Sequence, residues 1–137
     1  MAGASLRAEI VADIVAGSRG VERRGAMSEI LYPRPTRTLA EKRRALAPDQ
    51  EMAFRQFSKA VFADGALSAK TKQLIAVAVA HVTQCPYCID NHTKAASAEG
   101  ATPEELMEAI WVAAEMRAGA AYAHSTLALA ALEPKSS

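Results

Sequence analysis

Apolar residues recur along this chain at helical spacing, separated by residues that start and stop helices. Leu6, Ile10, Ile14 and Val15 fall on one helical face and Gly17 follows, which predicts a short amphipathic helix. Gly20, Gly25, Pro33 and Pro35 mark residues 18–37 as irregular chain. Residues 39–46 read as a basic helical segment in which Lys42, Arg43 and Arg44 form a solvated face. No aromatic or glycine pattern accompanies them, so they do not point to nucleic acid. From Pro48 onward, Met52, Phe54, Phe57, Val61 and Phe62 return at helical intervals, and Asp64 and Gly65 end that run.

The next helix is predicted over residues 69–82, with Ser68 as its cap. Its interior, LIAVAVAHV, is apolar on nearly every side, which suits a buried helix. The β-branched residues would also allow a strand, but the length and the flanking AKTKQ favour helix. Pro86 suits a first helical position. That places Cys85 at an N-cap and Cys88 in the first turn of a helix reaching about Ala98 and stopping at Gly100. Thr102, Pro103 and Glu105 form a second start signature of cap, first-turn proline and third-position glutamate. Met107, Ile110, Trp111 and Ala114 follow as an apolar stripe. Gly119 is placed to bend this helix before it resumes to about Leu132. The pattern predicts an all-α fold of about six helices. Residues 1–47 are read as an N-terminal extension that packs within an oligomer, and residues 48–133 as the helical domain.

Composition narrows the picture. The 137 residues suit one domain, and half are hydrophobic, which excludes a largely disordered chain. Abundant alanine and few aromatics favour helices over sheets. The net charge of +1 provides no field that would draw in nucleic acid or a membrane surface, although the balance is +4 up to Ala45 and −3 beyond it. No apolar run has the length of a membrane span. Glu9 and Asp13 interrupt the N-terminal apolar stretch, unlike a secretory signal, so the expected location is cytoplasmic. The apolar helix over residues 69–82 and the alanine-rich C-terminal helix exceed what one small domain covers, which predicts a homo-oligomer.

Candidate chemistry sits in CPYCIDNH. The thiolate is the reactive form of cysteine, and a helix N-terminus favours it through its partial positive charge and unpaired N–H groups. Cys88 and His92 are neighbours on one helical face, so the imidazole can take up the thiol proton or stabilise the thiolate. Two cysteines at this spacing can close a disulfide, so an oxidised sulfur on one can be trapped by the other. Zinc held by Cys85, Cys88, His92 and His81 is an alternative, and so is a structural pair of small residues. A thioredoxin-like fold fits poorly, because that motif follows a strand.

The stretch KTKQLIAVAVAHVTQCPYCIDNHTKAA, followed by GATPEELMEAIWVAAEMRAGAAYAHS, resembles the carboxymuconolactone decarboxylase family in its alkylhydroperoxidase D-like (AhpD-like) branch. The resemblance runs from about Pro48 to Leu132. It implies an all-helical trimer or hexamer that reduces hydroperoxides with its cysteine pair, a peroxiredoxin-type antioxidant oxidoreductase. It also implies a dithiol reductant, a lipoyl-bearing or thioredoxin-like protein, and no organic cofactor or metal. Carried over residue by residue, Cys85 and Cys88 match the redox pair and His92 the proton-relay histidine. Cys88, beside His92, is the expected attacking thiolate, and Cys85 the resolving thiol. Gln73 stands where the family usually has glutamate. It can hold a hydrogen bond but cannot act as a base, which leaves His81 as another candidate.

Three further readings stay open: dithiol–disulfide exchange with a protein partner, lactone decarboxylation as in family members that generally lack the pair, and a non-catalytic scaffold. Trp111, Met107 and Phe62 are expected in the core or lining a pocket for an organic hydroperoxide. Tyr87 is expected to pack. Tyr122 and His124 are placed to reach the site only if their helix, or a neighbouring subunit's, passes near it.

Overall fold

The computed structural model describes residues 32–133. Among these residues there are five helices and no strand: α1 Arg37–Leu46, α2 Pro48–Phe62, α3 Ala69–Thr83, α4 Pro86–Ala98 and α5 Pro103–Ala130. The all-α class matches the expectation, with five helices rather than about six. The helix expected around Leu6 to Val15 lies outside the described residues.

The described residues divide into two compact units, with the boundary between Ser58 and Lys59 inside α2. In the first unit, Thr36 caps α1 by accepting the Leu39 N–H at 3.2 Å. Ala47 separates the two helices, and its carbonyl accepts the Glu51 N–H at 3.1 Å. The Glu51 carboxylate takes a hydrogen bond from Arg55 and lies 3.7 Å from Arg44. The Arg55 hydrogen bond, with these nearby cations, holds that carboxyl below the usual glutamate range. Neither α1 nor α2 contains a buried residue.

The second unit is built around α3, which packs against both α4 and α5. Two acceptors in the preceding turn fix where α3 begins. Asp64 accepts the Ala69 N–H at 2.8 Å, and Ser68 accepts the Thr71 N–H at 3.2 Å. Lys72 donates back to the Ala63 carbonyl. The core is small. Val77, Ala96 and Ala101 form it, with Leu74, Leu106 and Ile110 packed around them. Alanines at the contacts let the helix backbones approach closely. Val77 is the one large side chain wholly withdrawn from solvent among the described residues.

Helix α5 starts as expected, on a complete capping box. Thr102 Oγ1 accepts the Glu105 N–H at 3.2 Å and the Glu105 carboxylate accepts the Thr102 N–H at 2.8 Å. Lys70 ties the start of α3 to the same carboxylate at 2.7 Å. The Lys70 hydrogen bond first, and the Thr102 N–H second, hold Glu105 below the usual glutamate range.

Two expectations need correction. Gly119 does not interrupt α5, which is helical through it, because a single glycine weakens the hydrogen-bond ladder without breaking it. Helix α3 is also not buried on most sides within one chain. Val77 and Ala80 are buried, while Ile75, Val79 and Val82 stay exposed. Among the described residues no helix is long and apolar enough to cross a membrane.

Candidate active site

The site forms where α3 hands over to α4. Gln84 ends α3 in the left-handed region, at φ 55° and ψ 40°. The N–H groups of Gln84 and Cys85 then both return to the Ala80 carbonyl, the latter at 3.1 Å. This closure turns the chain sharply within one residue. Cys85 is extended, at φ −94° and ψ 101°, which is the conformation the following proline imposes. Pro86 then occupies the first position of α4, where its missing N–H costs nothing.

Cys85 is therefore the N-cap residue of α4, and its Sγ accepts the Cys88 N–H at 3.3 Å. The two sulfurs are joined in a disulfide whose Cα atoms lie 5.3 Å apart. Once the bond is reduced, a sulfur at this cap faces the positive end of the helix, which favours its thiolate form.

Gln73 and His92 meet across the α3–α4 contact. The glutamine Oε1 accepts a hydrogen bond from His92 Nδ1 at 2.8 Å. The ring of Phe62, at the end of α2, lies against the imidazole with centroids 5.1 Å apart and planes tilted by 34°. His92 is thus held by a hydrogen bond and by a ring face. Cys88 sits one turn before it on α4. His81 directs its Nδ1 to the Val77 carbonyl of its own helix at 2.8 Å. Gln73, His81, Cys85, Cys88 and His92 are all half-buried, so solvent and small reactants reach the region.

The expected residues therefore divide. Gln73 and His92 are hydrogen-bonded to each other, and the cysteines are bonded to each other at the head of the helix that carries His92. His81 is engaged with its own backbone. Tyr87 is partly exposed beside the pair, and Tyr122 and His124 are exposed on α5. Trp111 and Met107 are exposed too, rather than in the core. The contact of Phe62 with His92 carries no signal in the sequence, since the two residues lie on different helices at unrelated spacing. No group of three or more histidine, cysteine or acidic side chains is arranged to hold a metal among the described residues.

Residues 48–131 match the sequence model of the carboxymuconolactone decarboxylase family. A Paracoccus denitrificans protein called uncharacterized protein 4 in the cox locus is 63% identical over 107 residues, spanning 78% of this chain and 96% of that protein. A Cupriavidus necator protein is 39% identical over 83 residues, 61% of this chain and 74% of its own length. Among solved structures, an apo carboxymuconolactone decarboxylase family protein from Legionella pneumophila superposes with a TM-score of 0.55 at 40% identity, over 58% of this chain and 70% of that one. A Methanobacterium thermoautotrophicum protein gives a TM-score of 0.58 at 35% identity, over 61% of this chain and 93% of that one.

Proposed function

The chain belongs to the carboxymuconolactone decarboxylase family, and from that premise we propose that it is a thiol-dependent peroxidase of the alkylhydroperoxidase D-like kind. The observation that carries this reading is the Cys85–Cys88 disulfide at the head of the helix that bears His92. Family members that decarboxylate lactones generally lack such a pair, so its presence favours thiol chemistry.

The cycle begins with the reduced pair. His92 takes the proton of the Cys88 thiol, and the thiolate attacks the terminal oxygen of a hydroperoxide. The O–O bond breaks, the sulfur becomes a sulfenic acid, and the imidazolium returns its proton to the departing alkoxide as an alcohol forms. The Cys85 thiol then displaces water from the sulfenic acid and closes the disulfide. An external dithiol restores both thiols and is itself oxidised to a disulfide. The net change converts hydroperoxide and dithiol into alcohol, water and the dithiol's disulfide. No cofactor or metal takes part. The reductant proposed is a lipoyl-bearing or other dithiol protein, and the working form is a homo-oligomer.

Exchange of the pair with a protein dithiol, without peroxide, is the second reading. It is favoured by one feature, the position of the Cys85 sulfur at the N-cap, where an incoming dithiol would regenerate a stabilised thiolate. Dithiol-driven consumption of an organic hydroperoxide, compared among parent, Cys88→Ser and Cys85→Ser, tests the proposal. Turnover by the parent and its loss in Cys88→Ser supports it. Folded parent protein that consumes no peroxide, yet whose disulfide is readily reduced by a dithiol protein, moves the function to exchange.

A further inference from the structure

The contact between Gln73 and His92 says more than that the two are adjacent. An amide oxygen only accepts hydrogen bonds, so the ring nitrogen that faces it carries the hydrogen. A neutral imidazole has one N–H, which leaves Nε2 with the lone pair. A histidine side chain free in water favours the opposite arrangement, with hydrogen on Nε2. We infer that Gln73 is a positioning residue that holds neutral His92 as its Nδ1–H tautomer, so that Nε2 is the nitrogen that exchanges a proton with the cysteine pair.

Two further observations carry the inference. Phe62 lies against the imidazole face and restricts how the ring can turn away from the amide. Cys88 precedes His92 by one helical turn, so a ring held at Nδ1 by α3 keeps its other nitrogen for the reacting end of α4. The consequence for chemistry is specific. Glutamine cannot take up the Nδ1 proton as a carboxylate could. The proton path therefore ends at His92, and each proton that reaches Nε2 from a thiol leaves again through Nε2. This consequence rests on the redox reading above, whereas the tautomer does not.

The chain has three histidines, His81, His92 and His124, and they make the test self-controlled. Long-range proton–nitrogen correlation spectra of labelled protein distinguish the two tautomers directly. At neutral pH, His92 is expected in the Nδ1–H form. His81 is expected in the same form, because its Nδ1 faces the Val77 carbonyl. His124, exposed on α5, serves as the solvated reference. Gln73→Leu removes the acceptor and is expected to convert His92 alone to the Nε2–H form. In the peroxide assay it is expected to lower kcat by about tenfold to a hundredfold, with KM little changed. Gln73→Glu restores an acceptor, and it is expected to recover both the Nδ1–H signature and most of the rate lost in Gln73→Leu.

An Nε2–H signature for His92 in the parent overturns the proposal. It would mean that the amide presents its NH2 group to the ring. A Gln73→Leu spectrum unchanged at His92 overturns it equally. The parent spectrum decides the tautomer even if the leucine variant fails to fold. Absence of peroxide turnover in the parent would refute the proposed function and leave the tautomer measurement standing.

Discussion

The proposed homo-oligomer predicts that replacing Val79 with lysine breaks self-association while leaving the helices of each chain intact. Val79 lines an open apolar groove of about 390 Å³ between α3 and α5, together with Val82, Val112, Met116 and Arg117. Within one chain these apolar side chains remain 53% exposed at Val79, 42% at Val82, 60% at Val112 and 61% at Met116. Burying such a side chain completely is worth about 1.5–3 kcal/mol, so covering the exposed half of each yields about 1 kcal/mol, or about 4 kcal/mol for the four. Association costs at least that much in lost freedom. The groove therefore cannot hold copies together unaided. Trp111, 69% exposed, and Leu127, 68% exposed, lie on the same helix α5 and supply further area.

Lysine at position 79 removes about 1 kcal/mol of that gain. It also places a second cation in a groove that already contains Arg117, and the charge must lose water when a copy covers it, at a cost of several kcal/mol. A net loss of about 3 kcal/mol weakens assembly by more than a hundredfold. The isolated helix tolerates the change, since Val79 is half in solvent and lysine is a good helix former. Sedimentation velocity across a concentration series is the assay, with far-UV circular dichroism as the control for folding. The parent is expected to sediment as a multiple of 14.5 kDa, and Val79→Lys to shift toward the single chain. A parent that sediments as a folded single chain refutes the reasoning, and the exposed face then serves some other contact.

Other substitutions probe the second unit. Val77→Ala deletes the fully buried side chain of the core, and the lost transfer energy plus the cavity is expected to destabilise the protein by about 2–3 kcal/mol in denaturant titration. Gly119→Ala is expected to stabilise by about 1 kcal/mol, because α5 is helical there and a Cβ would meet its nearest neighbour, Glu115 Oε1, at an ordinary 3.5 Å. A lower melting temperature for Gly119→Ala would show that a neighbouring subunit occupies that space. Because the Glu105 carboxyl is held below its ordinary value of 4.5, its contribution is complete above that value and is lost as pH falls through the depressed one. The stability difference between parent and Glu105→Gln should therefore be greatest near neutral pH and vanish in acid, and a difference that persists in acid would refute the assignment.

Local signals were legible where the physics is local. Ser68, Pro86, Thr102 and Glu105 set helix starts through hydrogen bonds or missing donors within one turn, so spacing alone locates α3, α4 and α5. Cys85 as an N-cap follows from the proline after it. What spacing could not reveal was which contacts form between helices. LIAVAVAHV reads as a helix buried on most sides, but in a single chain only Val77 and Ala80 are buried. The remainder of that apolar surface stays exposed in the single chain, and no periodicity within one chain distinguishes a core face from an interface face. Gly119 misled for a related reason. Glycine is a helix breaker in an isolated segment, yet within a helix as long as α5 the flanking turns supply enough hydrogen bonds to carry the ladder through it.

The site shows the same division with a chemical consequence. The sequence identifies glutamine at a position where family resemblance leads one to expect a base, and from composition that reads as a loss. The contact at 2.8 Å changes its meaning. A glutamate and a glutamine both accept from Nδ1, so both can hold the imidazole in one tautomer, and they differ in what happens when the ring becomes charged. A carboxylate can take up the Nδ1 proton, whereas an amide cannot, so with glutamine the transferred proton stays on the ring. In the proposed cycle the proton taken from the Cys88 thiol therefore stays on His92 until it reaches the departing alkoxide. The helix N-terminus favours the thiolate of Cys85, the resolving thiol at the cap, and does not replace His92 as the base for Cys88. The exchange of glutamate for glutamine is then compatible with turnover because one acid–base group suffices: His92 takes the thiol proton and returns it to the alkoxide, and Gln73 is needed only to hold the ring.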